Sequence, residues 1–266
     1  MDDDDARTEL VIIGGGNMGA ALLGGLVDSG AFAVAALAVV EVVEGRRHQL
    51  TTMFPGLAVV AEVPRCAGAV LAVKPADTPA AAAAAGAVGA SRLLSIAAGV
   101  RLSTIEAAAG PDVAVIRAMP NTPALVRLGA CAIAAGSTAD ADDVAWARSI
   151  LEAVGTVDEV DEASLDAFTG VAGSGPAYVF LLAELLIDAA VGEGLDREMA
   201  ERVVRQLLLG SATLLDREGD ATRLREMVTS PNGTTAAGLA AFAERDLRGT
   251  VAAAVHAATQ RSRELG

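Results

Sequence analysis

The chain has 266 residues, 53 % of them apolar but only 3 % aromatic, and a formal charge of −14 from 34 acidic against 20 basic side chains. So negative a chain, with no cluster of basic residues, repels nucleic-acid phosphate, and no nucleic-acid partner is expected. Two cysteines (Cys66, Cys131) and two scattered histidines (His48, His256) supply neither a disulfide framework, a structural zinc site nor a His-triad enzyme, and no metal centre is expected.

The start, Met1-Asp2-Asp3-Asp4-Asp5, reads as a solvated acidic tail without the basic start and apolar run of a secretory signal. Beyond it, Glu9–Gly14, Ala36–Glu41, Ala58–Ala61, Ala69–Lys74, Leu93–Ala97, Val113–Met119 and Cys131–Ala135 read as strands. Most are nearly continuous apolar runs, as in parallel strands covered on both faces. Met18–Ser29 reads as a helix of small residues stopped by Gly30. The pattern is α/β, a Rossmann-type doubly wound sheet. From Ser164 onward no strand is expected. Pro176 suits the first turn of a helix to about Val191, and Asp196 can cap a second that Gly219 closes. Further helices are expected over Ala221–Val228, Thr235–Ala243 and Arg248–Arg263. The division is therefore a dinucleotide-binding domain over residues 1–160 and an all-helical substrate-binding and dimerisation domain over 161–266. The longest uncharged stretches, Pro79–Ser91 and Ala167–Ala183, are interrupted by Gly or Pro and fall short of a spanning helix, so no membrane partner and a cytoplasmic location are expected.

Gly14-Gly15-Gly16-Asn17-Met18-Gly19 matches G-x-G-x-x-G between a strand and a helix, with the acid Glu41 22 residues beyond Gly19. That context is what a dinucleotide fingerprint requires. Gly14 makes the tight turn, Gly16 lets a pyrophosphate approach the backbone, and Gly19 allows close helix–strand packing, with the helix N-terminus facing the phosphates. Glu41 would accept from a ribose 2′-hydroxyl and favour NADH. Arg46 and Arg47 could instead bind a 2′-phosphate and favour NADPH, or form an ordinary solvated face. The choice between NADPH and NADH stays open at this level. Lys74 is the only lysine among the basic residues; standing before Pro75 at a strand's C-terminal end, where α/β folds bind ligands, it reads as a site marker or else a surface lysine.

Several segments together resemble the pyrroline-5-carboxylate reductase family: Ile13–Gly19 (IGGGNMG), Ala72–Pro75 (AVKP), Ser95–Val100 (SIAAGV), Arg117–Pro123 (RAMPNTP), Thr169–Tyr178 (TGVAGSGPAY) and Ser230–Leu239 (SPNGTTAAGL). The resemblance implies reduction of L-1-pyrroline-5-carboxylate to L-proline with NADPH or NADH, a helical second domain that interleaves with its twin, and a homodimer or higher assembly of dimers. It places Ile13, Gly14, Gly16, Asn17, Met18 and Gly19 at the cofactor, with Ala72, Val73, Lys74 and Pro75 lining the nicotinamide side beside Ala97, Ala98 and Gly99. It gives Ser230, Asn232, Gly233, Thr234 and Thr235 to the substrate carboxylate, sets the Thr235 hydroxyl near the ring nitrogen, and puts Glu162 close to that pocket. Two positions depart from the family: Asn232 stands where Gly is usual, and Glu41-Val42 where an Asn-Arg pair is expected. Asn tolerates positive φ better than most residues, so the loop can survive.

The residue inventory suits a cyclic imine, a small-molecule substrate. Carbonyl-reducing dehydrogenases need a proton donor for a developing alkoxide, commonly His, Lys or Tyr. A protonated iminium is already electrophilic, and positioning supplies most of what remains. The helical half has no lysine, which counts against a related hydroxy-acid dehydrogenase; a nucleotide-sensing regulator without turnover is the other alternative. Thr235 also reads as a helix N-cap, Ser174-Gly175-Pro176 as a helix-start turn, Tyr178 as an interface residue, and both cysteines as small core residues.

Overall fold

Apolar runs without polar interruption have no solvent face to offer, so the strands they form must be covered on both sides. The computed structural model describes residues 8–266, and the acidic start Met1–Asp5 lies outside them. Eight strands, β1 (Thr8–Ile13), β2 (Leu37–Val40), β3 (Ala58–Val60), β4 (Cys66–Leu71), β5 (Arg92–Ser95), β6 (Ala114–Met119), β7 (Gly129–Ala135) and β8 (Gly155–Glu159), form one sheet in the order β3-β2-β1-β4-β5-β6-β7-β8. Neighbours are parallel except β6 and β7, where Arg117 lies opposite Ala134. The order reverses between β1 and β4, the switch point at which doubly wound sheets open a crevice.

Alternate residues of each strand feed opposite layers. Leu10 and Ile12 pack with Leu22, Leu23 and Leu26 of α1 (Asn17–Ser29) and Ile150 and Leu151 of α5 (Ala141–Glu152). Val11 and Ile13 pack on the other face with Ala81, Ala82 and Ala85 of α3 (Thr78–Ala87) and Ile105 of α4 (Leu102–Ala109). The remaining helix of this layer pair, α2 (Glu44–Met53), follows β2 and buries only Leu50. Gly30 ends α1 with φ +69° and its N–H bonded to the Val27 carbonyl, the left-handed stop expected of it. Both cysteines are buried, and burial pushes the Cys131 thiol up to about 11, so Cys131 does not read as a nucleophile.

Three expectations need correction. The strand expected over Ala69–Lys74 is Cys66–Leu71; Pro75 starts a short 3-10 turn, which ends the extended backbone and leaves Lys74 three residues past the strand. β8 was not expected, because in Gly155–Glu159 only Val157 is buried and an edge strand shows little apolar signal. Ala167–Ala183 is not interrupted: a helical run continues from Ser164 to Gly192, 29 residues, the one helix among the described residues long and apolar enough by length and composition to cross a membrane. It passes from α6 (Ser164–Phe168) through a π turn at Thr169–Gly173 into α7 (Gly175–Gly192). The Ser174 N–H reaches the Thr169 carbonyl at 2.8 Å, so the glycines are absorbed in the wider turn and Pro176 falls where no N–H is needed.

The chain divides into two compact units. One holds the sheet, the residues up to Ser174 and Ala257–Gly266; the other is Gly175–His256. In the sheet unit a polar network ties the last helical residues to the loop after β5. Asp166, nearly buried, accepts from Ser262 Oγ at 2.7 Å and from Arg101 Nη2 at 3.1 Å. Beside it, Glu162 Oε1 accepts from the Leu102 N–H at 2.7 Å and from Arg117 Nη1 at 2.9 Å, and the Arg117 side chain is only 4 % exposed. The helical unit contains α8 (Arg197–Glu218), α9 (Ala221–Met227), α10 (Thr234–Glu244) and the residues of α11 (Leu247–Leu265) up to His256. Asp196 caps α8 through the Met199 N–H, and Gly219 closes it with φ +74°, as their positions predict. No residue of α7 is buried although, Glu184 and Asp188 apart, the helix is largely apolar.

Two substitutions test this packing. A Cβ on Gly25 in α1 would sit 2.5 Å from Val154 Cγ1 and 2.7 Å from the Ala153 carbonyl oxygen. Gly25→Ala should therefore lower the unfolding free energy by about 1–3 kcal/mol through overpacking, against the gain of up to about 1 kcal/mol that Ala brings to an open helix interior; a raised urea midpoint would contradict the packing. Glu162→Ala strands the buried Arg117 charge and should cost about 2–3 kcal/mol, the lower side of a buried-pair loss because Glu162 keeps some solvent. Glu162→Gln, which keeps an acceptor but strands the same charge, should recover only the hydrogen-bond part of that loss; a midpoint equal to that of the unaltered chain would contradict the ion-pair assignment.

Candidate nucleotide and substrate sites

The nucleotide residues meet at the carboxyl ends of β1, β2, β4 and β5, beside the switch point. The Gly14 N–H donates to the Val40 carbonyl at 2.9 Å and the Ala72 N–H to the Ile13 carbonyl at 2.8 Å, so the turn after β1 touches both neighbouring strands. Gly14 has φ +110°, and a Cβ there would overlap the Ala72 carbonyl. At Gly19 a Cβ would overlap the Gly14 carbonyl oxygen, which is why α1 can begin so close to the turn. Gly16 differs: nothing lies within 4 Å of its Cβ direction. It forms the N-cap of α1 without a side-chain cap, and Gly16 and Asn17 are exposed. Open space in front of uncapped helix N–H groups fits a dinucleotide pyrophosphate.

Around this turn, Glu41 follows β2 and its Oε2 accepts from the Gly15 N–H at 3.2 Å. Arg46 Nε donates to the Gly15 carbonyl at 2.7 Å. Met18 is half-buried and Ile13 buried. Past β4, Ala72 and Val73 are half-buried, while Lys74 and Pro75 are exposed and the Lys74 carbonyl accepts from the Asp77 N–H at 2.9 Å. Past β5, the Ile96 N–H bonds the Leu71 carbonyl at 3.1 Å, which carries Ala97–Gly99 to the same edge of the sheet. Gly99 has φ +77°. These residues all lie in the sheet unit, on or beside the turns that follow β1, β2, β4 and β5.

Glu162 lies in this unit too, engaged with Arg117 and Leu102 as described. Sequence reasoning missed its partner Arg117, the neighbouring Arg101–Asp166 pair, and also Ser262 and Asn121. Asn121 joins the Ala172 carbonyl to the Ala130 N–H, at 3.0 and 2.9 Å. The readable signal was Arg117 itself, a charge inside the apolar strand AVIRAM.

In the helical unit, Ser230–Thr235 forms a tight turn into α10. The Gly233 N–H donates to the Ser230 carbonyl at 3.0 Å, and Asn232 takes φ +60°, the left-handed conformation Asn tolerates. The N-cap of α10 is Gly233, without a side-chain cap, so the expectation that Thr235 caps the helix is corrected: Thr234 and Thr235 occupy its first two positions. The tight turn reaches helical geometry two residues earlier, and the first N–H groups are left open to an anion.

Comparison with known proteins agrees with this arrangement. Residues 162–265 match a family model described as pyrroline-5-carboxylate reductase dimerisation. The chain is 42 % identical over 265 residues to a pyrroline-5-carboxylate reductase of Synechocystis, covering 97 % of this chain and 98 % of that protein. Among solved structures, a pyrroline-5-carboxylate reductase of Coxiella burnetii superposes with a TM-score of 0.90 at 32 % identity, covering 98 % and 99 % of the two chains. One from Plasmodium falciparum, solved with NADP bound, gives 0.85 at 28 % identity with the same coverage. With sequence, fold and the matched helical region in agreement over nearly the whole length, the chain belongs to the pyrroline-5-carboxylate reductase family.

Proposed function

We propose that this chain reduces L-1-pyrroline-5-carboxylate to L-proline at the expense of NADPH or NADH, the last step of proline biosynthesis, in the cytoplasm. The observation that carries the reading is the full-length likeness to reductases of this substrate, joined to a glycine turn open at Gly16. The nicotinamide, when bound, supplies a hydride. The turn Ile13–Gly19 holds the pyrophosphate over the start of α1. Ala72–Pro75 and Ala97–Gly99 line the nicotinamide side, with Lys74 contributing through its backbone.

The substrate is a small cyclic imine that carries its own carboxylate. In this reading the uncapped N–H groups that open α10, preceded by Ser230, Asn232 and Gly233, hold that carboxylate. Thr234 adds to the same N-terminus, and Thr235 sets its hydroxyl at the ring nitrogen. Glu162 acts within the sheet unit, by fixing Arg117 and the start of α4. A protonated imine is electrophilic before the chain touches it, so holding and aligning it matter more than a strong acid. Val179, Phe180, Leu181, Leu182 and Leu185 of α7 are all exposed. An apolar helix this bare is covered by another chain rather than by water, which supports a homodimer, or an assembly of dimers, over a membrane span for Ser164–Gly192. Neither lipid nor nucleic acid is a partner in this reading.

The direct test is loss of nicotinamide absorbance when pyrroline-5-carboxylate is added; no turnover with either nucleotide would refute the reading. Thr235→Ala should lower kcat/KM by about 10²-fold, the scale of a lost proton-handling contact, while nucleotide dissociation constants stay unchanged. Unaltered kcat/KM would remove Thr235 from the site.

A further inference from the structure

What surrounds the end of β2 determines which nucleotide the turn can accept. The Glu41 carboxylate is folded onto the glycine turn: Oε2 accepts from the Gly15 N–H at 3.2 Å and Oε1 from the Val43 N–H at 2.9 Å. The two arginines that could recognise a 2′-phosphate both point their donors at other oxygens. Arg46 Nε donates to the Gly15 carbonyl at 2.7 Å and its Nη1 to Gln49 Oε1 at 2.9 Å. Arg47 Nη1 donates to the Glu41 and Val42 carbonyls, each at 2.9 Å. Glu44 stands in the first turn of α2, so the helix end that would otherwise attract an anion carries a carboxylate of its own.

We infer that this chain selects NADH over NADPH, with Glu41 the residue that excludes a 2′-phosphate and Arg46 a positioning residue for the glycine turn. A carboxylate beside the turn accepts from a ribose 2′-hydroxyl at no electrostatic cost. A phosphate in the same place would face the Glu41 carboxylate, with Glu44 in the first turn of the following helix, and like charges repel. The donors that hold the Gly15 carbonyl (Arg46) and the Glu41 and Val42 carbonyls (Arg47) are already engaged in shaping the chain that follows β2. Both guanidinium groups therefore stabilise the shape of the loop rather than wait for a ligand. The inference rests on the reading that Gly14–Gly19 holds the dinucleotide.

Titration calorimetry on the intact protein with NADH and with NADPH, in the absence of substrate, tests it. NADH should bind at least tenfold more tightly, equivalent to about 1.4 kcal/mol. Glu41→Gln should shrink that ratio mainly by tightening NADPH, and Glu41→Ser serves the same purpose should the glutamine variant misfold. Arg46→Ala should weaken both nucleotides by similar factors, because it loosens the turn they share. Equal or tighter binding of NADPH by the unaltered chain overturns the inference, as does an Arg46→Ala variant that loses NADPH alone. Failure of both nucleotides to bind strikes the underlying reading of the glycine turn, and the inference with it; that pattern is distinct from tight but unselective binding.

Discussion

Backbone packed against backbone around the Gly14–Gly19 turn is the constraint from which the sheet unit is built. β1 delivers the chain into a turn whose N–H and carbonyl groups bond β2 on one side and β4 on the other. α1 then starts so near that side chains at Gly14 or Gly19 would collide with main-chain oxygens. The strand order reverses beside this point, and the N-terminus of α1 faces outward without a cap of its own. One close approach thereby gives both the tight β–α–β packing and an unoccupied set of N–H donors. Any residue with a Cβ at the two crowded positions would separate the elements before it disturbed a ligand.

Further from the turn, charges rather than glycines hold the loops. Asp166 gathers Arg101 and Ser262, while Glu162 gathers Arg117 and the Leu102 N–H. These contacts start immediately after Gly99 and end on the last residues of α11, so the loop past β5 is braced from the far end of the chain. Buried ion pairs contribute little net stability, since desolvation offsets attraction, but losing one partner is costly. Here they tie the loop after β5 to Asp166, Glu162 and, through Asp166, to Ser262 of α11. The same economy governs Arg46 and Arg47, whose charges are turned inward onto carbonyls next to the turn.

The sheet unit was largely legible because its signals are local. Continuous apolar runs gave seven of the strands, a glycine motif between strand and helix gave the turn, and left-handed glycines such as Gly30 and Gly219 gave helix ends. What could not be read depended on partners distant in the chain. β8 exists because β7 offers it an edge, not because Gly155–Glu159 is apolar. The end of β4 moved back three residues because Pro75 reshapes the backbone before it. Glycines in Thr169–Gly173 suggested a break, yet a π turn carries the helix through them. Arg117 and Asp166, 49 residues apart in sequence, show their purpose only when Glu162 and Arg101 are set beside them. The loop Ser230–Thr235 was legible as a motif, and its cap was not: Gly233 takes the position that a threonine would ordinarily fill.

The central claim is that a nicotinamide nucleotide at the switch-point glycine turn gives its hydride to C5 of a cyclic imine. Incubating the protein with pyrroline-5-carboxylate and a nicotinamide nucleotide carrying deuterium at both C4 positions, then analysing the product by mass spectrometry and NMR, tests it most directly. The account predicts L-proline carrying one deuterium at C5. Unlabelled proline, or no proline with the nucleotide left reduced, would contradict it.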